Sequence, residues 1–190
     1  MGDNLGPNDC LVLVDVQNDL CPGGASPVPD GDAVLPVLNA WIRAARAADL
    51  PVVAVRDWHP ADHCSFRGHG GDWPPHCVRE TPGAAFVAGL ELPTEPIVVD
   101  KGTVRDRDNV SAFDDTGLAG LLHERGIERI WIGGLAQDTT VYASVIDACE
   151  AGFETHLIVA ATRPVDHRPG DGQRALEAMR AAGARIDEAA

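Results

Sequence analysis

The segment Asp57-Trp58-His59-Pro60-Ala61-Asp62-His63 concentrates groups that bind metal ions. Residues two apart on an extended chain point the same way, so Asp57 and His59 can chelate one ion together. His63 follows four residues later, and a WPPHC segment downstream supplies His76. Imidazoles with one carboxylate suit Zn²⁺, with Fe²⁺ or Mn²⁺ as alternatives, better than Ca²⁺ or Mg²⁺. Each histidine taken singly reads equally well as a polar loop residue. Four of the seven histidines, however, fall between Leu50 and Cys77: His59, His63, His69 and His76.

A second chemical segment is GGLAQDTTVYAS, Gly133 to Ser144. It reads as a strand end, a tight turn and a helix start, the setting in which a nucleophile is commonly displayed. The turn offers the hydroxyls of Thr139 and Thr140 and no thiol. Two further polar segments, VDVQNDLCPGG with Asp15 and DKG with Lys101, follow apolar runs in the same way.

The elements that must carry these segments alternate. Nearly continuous apolar runs at Cys10–Val16, Pro51–Arg56, Pro96–Val99, Arg129–Gly133 and Thr155–Ala160 predict strands buried on both faces. A short sixth is predicted at Ala184–Ile186. Helical spacing predicts helices over Asp32–Ala48, Thr116–Arg125, Asp138–Ala151 and Gly172–Ala182. Gly126 and Gly152 follow two of these ends, where left-handed caps belong. Strand–helix alternation implies a parallel sheet covered by helices, with its site at the carboxyl ends of the strands.

The chain has 190 residues, 45% of them hydrophobic, enough for one core, so a single domain over residues 1–190 is expected. A formal charge of −14 argues against a nucleic-acid partner. No apolar run is long enough for a membrane span and the first residues lack a secretory pattern. The five cysteines are odd in number and irregularly spaced, which fits a reducing cytoplasm rather than a disulfide framework. The expected partner is a small molecule, and homo-oligomer formation is left open.

DVQNDLCPGG, DWHPADHCSF, WPPHC, DKG and GGLAQDTTV together, in this order, resemble the signature segments of nicotinamidases, in the isochorismatase-like or cysteine hydrolase superfamily. The resemblance spans about Leu11 to Ile186. It implies a three-layer α/β/α sandwich with a parallel sheet of about six strands. It implies hydrolysis of an amide or related C–N bond in a small cyclic molecule. It makes Asp15 and Lys101 catalytic, and Asp57, His59 and His76 metal ligands with His63 as a fourth. It places Leu20, Trp73 and Thr139 in the substrate wall. Leu135–Ala136 matches a cis peptide, with the amides of Ala136 and Thr140 forming an oxyanion hole.

The family's catalytic cysteine aligns with Thr140. A thiol titrates near 8.5 and an alkyl hydroxyl near 15.7, so forming the alkoxide outright costs about 10 kcal/mol more. General-base assistance lowers that figure, as in serine hydrolases. Cys149 offers no replacement, because nine helical residues at ~1.5 Å each put it ~13 Å away. Cys21 and Cys64 lie in neighbouring segments and read as loop or pocket wall. The expected attacking group is therefore Thr140 or a water it orients. The alternatives are a non-covalent, isochorismatase-like hydrolase and a binding protein that retains the pocket. Within 105–109, Arg105 and Arg107 could meet an anionic substrate or form a solvated charged loop.

Overall fold

Residues 5–187 are described by the structure, a computed structural model. The elements are β1 (Asp9–Val14), α1 (Leu35–Ala47), β2 (Val52–Asp57), β3 (Ile97–Lys101), α2 (Leu118–Glu124), β4 (Arg129–Leu135), α3 (Thr140–Glu150), β5 (Glu154–Arg163), α4 (Asp171–Ala181) and β6 (Arg185–Asp187). The six strands form one parallel sheet in the order β3-β2-β1-β4-β5-β6.

Alternation along β1 explains why the sheet is covered twice. Cys10, Val12 and Val14 enter the core shared with α2, α3 and α4. Leu11 and Leu13 enter the core under α1, with Leu38, Trp41 and Ile42. All six β1 residues are buried, which is why the strand reads as a continuous apolar run. The three-layer α/β/α fold expected from the sequence is the one observed.

The differences lie at element ends. The expected helix over Asp32–Ala48 opens as a 3-10 turn, Gly31–Val34, before α1 begins. Pro36 has no N–H for the Asp32 carbonyl, so a continuous α-helix cannot run through that point. β4 and β5 run further than expected, because after a register shift Gly134 pairs with Thr162 and Leu135 with Arg163. Gly134 is required there. Its φ is +132° and a Cβ would lie 2.0 Å from the Val14 carbonyl oxygen. Gly126 and Gly152 cap α2 and α3 with positive φ, as expected. None of the described helices is long and apolar enough to cross a membrane.

Candidate active site

The strand order aligns the chemistry. Lys101 ends β3, Asp57 ends β2, Asp15 follows β1, and Ala136 follows β4, so the four stand in a row along the carboxyl edge. Strand order reverses between β1 and β4, where an open α/β sheet forms its crevice. A cavity of about 370 Å³ lies at this edge. Asp15, Lys101 and Thr140 line it, as do all three expected wall residues, Leu20, Trp73 and Thr139.

Lys101 is buried between two carboxylates. Its Nζ donates to Asp57 Oδ1 at 2.5 Å and stands 2.9 Å from Asp15 Oδ2. The second contact is off the line of a hydrogen bond, so neither Asp15 oxygen has a hydrogen-bond partner among the described residues. Burial raises the Asp15 carboxyl to about 7, with the Asp57 charge adding to the rise and Lys101 opposing it. Burial acts in the same direction on Asp57, but Lys101 and His59 outweigh it and hold that carboxyl well below the usual range. The same pairs keep Lys101 protonated against its own desolvation.

Asp57, His59 and His76 form one buried cluster with ligand atoms within 4.8 Å of one another. His59 Nε2 is 3.5 Å and His76 Nε2 3.9 Å from Asp57 Oδ2. Each ring is oriented by a backbone carbonyl. His59 Nδ1 donates to Gly102 O at 3.0 Å, and His76 Nδ1 donates to Pro74 O at 2.8 Å. A carbonyl only accepts, so the hydrogen of each neutral ring sits on Nδ1 and leaves the Nε2 lone pair toward the cluster. Two oriented imidazole lone pairs and one carboxylate, with room for a further ligand, fit Zn²⁺ or a similar ion. His63 stands outside this cluster. Its ring stacks on His59 with centroids 4.1 Å apart, and both its nitrogens are engaged elsewhere.

The turn after β4 has a cis Leu135–Ala136 peptide. The Thr140 hydroxyl donates to Leu135 O at 2.7 Å and accepts from the Ala136 amide at 3.1 Å. Thr139 and Val141 amides both donate to Ala136 O, and Ala143 to Thr139 O, which leaves the Thr140 and Tyr142 amides of the first turn of α3 without a backbone acceptor. None of the five free cysteines is among the lining residues. Burial pushes the Cys21 thiol up to about 11, the Cys10 thiol to about 12 and the Cys77 thiol higher still.

Arg105 and Arg107 do not line the cavity. Arg105 pairs with Asp62 at 2.9 Å, and Arg107 with Asp115 at 2.6 Å and Asp114 at 3.2 Å. The same loop instead gives Asp108, Asn109 and Val110 to the cavity wall. Sequence reasoning also missed Gln17, which is fully buried behind the site. Its position two residues after Asp15 was the available signal.

The fold and these residues define an α/β protein with a lined cavity at the switch point of its sheet. Residues 9–190 match the model of the isochorismatase domain. The chain is 37% identical to the nicotinamidase of Acinetobacter baylyi, covering 93% of this chain and 91% of that protein. It is 36% identical to the nicotinamidase/pyrazinamidase of Mycobacterium tuberculosis, covering 90% and 94%. Among solved structures, the pyrazinamidase of Pyrococcus horikoshii in complex with zinc superposes with a TM-score of 0.92 at 42% identity, over 96% of this chain and 100% of that one. The chain belongs to the isochorismatase domain family.

Proposed function

We propose that this protein is a metal-dependent amidohydrolase of primary amides carried on small rings, of the pyridine- or pyrazine-carboxamide kind, in which Asp15 activates a water and Thr140 stands in the position of the family's cysteine. The observation that carries the reading is the contrast between Asp15 and Thr140. The Asp15 carboxylate has no hydrogen-bond partner and borders the cavity. The Thr140 hydroxyl already spends its proton on Leu135 O and its acceptor on the Ala136 amide. Asp15, held by its ion pair with Lys101 but bound by no hydrogen bond of good geometry, is the base, which favours attack by water.

In this mechanism Asp57, His59 and His76 would hold the metal. When bound, the ion supplies Lewis acidity and a fixed anchor for water or a substrate ring nitrogen. Asp15 takes one proton from the attacking water, whose oxygen bonds to the amide carbon. Lys101 offsets the charge that develops beside Asp15. The Thr140 amide, at the positive end of α3, donates to the oxyanion, and Ala136 joins it when the Thr140 hydroxyl turns aside. Asp15 then passes that proton to the amide nitrogen, the C–N bond breaks and ammonia leaves, and the carboxylic acid left behind gives up the water's second proton to solvent to become the carboxylate. Leu20, Trp73 and Thr139 hold the ring. The five free thiols fit action in a reducing cytoplasm.

A second reading has one supporting observation. The Thr140 hydroxyl is close enough to Asp15 to lower its carboxyl slightly. A rotation of that side chain would let Asp15 deprotonate it for direct attack. Ammonia release from nicotinamide and pyrazinamide, measured on zinc-loaded protein, tests the amidohydrolase reading. No release from either, or from a wider panel of primary amides of aromatic rings, would remove it.

A further inference from the structure

His63 is completely buried, belongs to the same histidine-rich segment as the cluster, and yet presents the opposite face of its chemistry. The Ser65 backbone N–H points at His63 Nδ1 from 3.3 Å and the Ser65 hydroxyl lies 2.8 Å from it, so Nδ1 is the acceptor. His63 Nε2 lies 2.9 Å from Arg107 O, which can only accept, so Nε2 carries the hydrogen. His59 and His76 show a bare Nε2, whereas His63 shows an N–H. A ligand must offer a lone pair, and this one is already taken by Ser65.

The atom that His63 holds lies in the loop between β3 and α2. Two further ties join the same two segments: Cys64 N–H donates to Arg105 O at 2.8 Å, and Asp62 pairs with Arg105 at 2.9 Å. The ion pair is exposed and adds little. Of the two hydrogen bonds, only the His63 bond reaches past Arg105 to the residues that line the cavity, Asp108, Asn109 and Val110.

We propose that His63 is a positioning residue: its Nε2–H straps the Asp108–Val110 wall to the metal-binding segment, and so sets the affinity for substrate rather than for metal. His59 beneath it keeps its own anchor on Gly102, so the metal cluster does not need the strap. The KM effect below rests on the amidohydrolase reading; the amide-exchange and zinc effects stand without it.

The decisive pair is His63→Gln and His63→Asn. A glutamine amide reaches about as far as Nε2 and can donate to Arg107 O; an asparagine amide falls short. Both are polar and close in size, so a folding defect common to both does not separate them, and His63→Ala serves as the full deletion. With Asn or Ala, backbone amides over residues 104–110 should exchange with deuterium ~5–10-fold faster, the equivalent of one lost hydrogen bond. Zinc bound per chain should remain that of the parent. KM for pyrazinamide should rise by a similar factor with kcat nearly unchanged, and Gln should restore both exchange and KM. Zinc lost with Asn or Ala would make His63 a ligand and overturn the proposal. Equal exchange in all variants would overturn it without touching the amidohydrolase reading.

Discussion

Gln17 and Asp57 are bonded twice through the same amide: the Asp57 N–H donates to Gln17 Oε1 at 2.8 Å, and Gln17 Nε2 donates to Asp57 O at 2.8 Å. Gln17 Nε2 also donates to Ala84 O at 2.9 Å. One buried side chain thus fixes the backbone of a carboxylate of the candidate metal cluster that is forty residues away in sequence. Gln17→Ala orphans three buried backbone groups, each worth about 1 kcal/mol or more, so it should cost about 3 kcal/mol in a urea melt. Zinc affinity should fall with it. A loss under about 0.5 kcal/mol would show that water replaces the clamp.

Gly102 concerns the same cluster from the other side. A Cβ on Gly102 would lie 2.4 Å from His59 Cε1 and 2.5 Å from Nδ1, at a φ of +61°. Gly102→Ala should therefore push the ring off its carbonyl anchor and weaken zinc binding ~10–100-fold in a chelator competition, the usual scale for losing an orienting partner. Gly126 is the control. Its φ is +71°, but a Cβ there would meet open space. Gly126→Ala should cost about 1 kcal/mol of stability and leave zinc affinity alone.

These two residues also mark where the sequence stopped being informative. The strands were legible because burial on both faces leaves a continuous apolar run, as in β1. The cluster was legible because Asp57 and His59 sit two apart on a strand end. Gln17 and Gly102 act across strand neighbours, β1 on β2 and β3 on β2, and no local pattern reveals a neighbour. For His63, spacing could not say which nitrogen carries the hydrogen; only the positions of Ser65 and the Arg107 carbonyl do. Arg105 and Arg107 were ambiguous for the same reason, since their partners Asp62, Asp114 and Asp115 are fixed by the loop's path.

As the proposed general base, Asp15 should make the rate depend on pH. Its carboxyl is raised from the ordinary 3.8 to about 7, chiefly by burial. As general base it works only when ionised, so kcat/KM should climb with pH and level off above about 7, falling about tenfold per unit below that. Asp15→Asn should abolish turnover while the protein still melts cooperatively. A profile that is flat from about pH 5 to pH 8 would take Asp15 out of the proton transfer.

Thr140 decides between water and side-chain attack. Its hydroxyl occupies the Ala136 amide at 3.1 Å and the Leu135 carbonyl at 2.7 Å. If it only orients water, Thr140→Ala loses about one hydrogen bond and should slow turnover roughly 10-fold, since ~1–2 kcal/mol is the worth of such a bond. Part of that loss is offset, because the Ala136 amide is freed for the oxyanion. If the hydroxyl attacks, the same variant should be inactive, and intact-mass spectrometry of the parent during turnover should show an acyl adduct on the chain. Thr140→Cys supplies a further arm. A thiol at the start of α3, lining the same cavity as Lys101, is easier to ionise than an alcohol by several pKa units. That variant should raise nicotinamide hydrolysis and make it sensitive to alkylating agents, to which the parent, with no cysteine lining the cavity, should be indifferent. A parent enzyme inactivated by alkylation would point to a thiol in the reaction and rule out both the water and the threonine mechanisms.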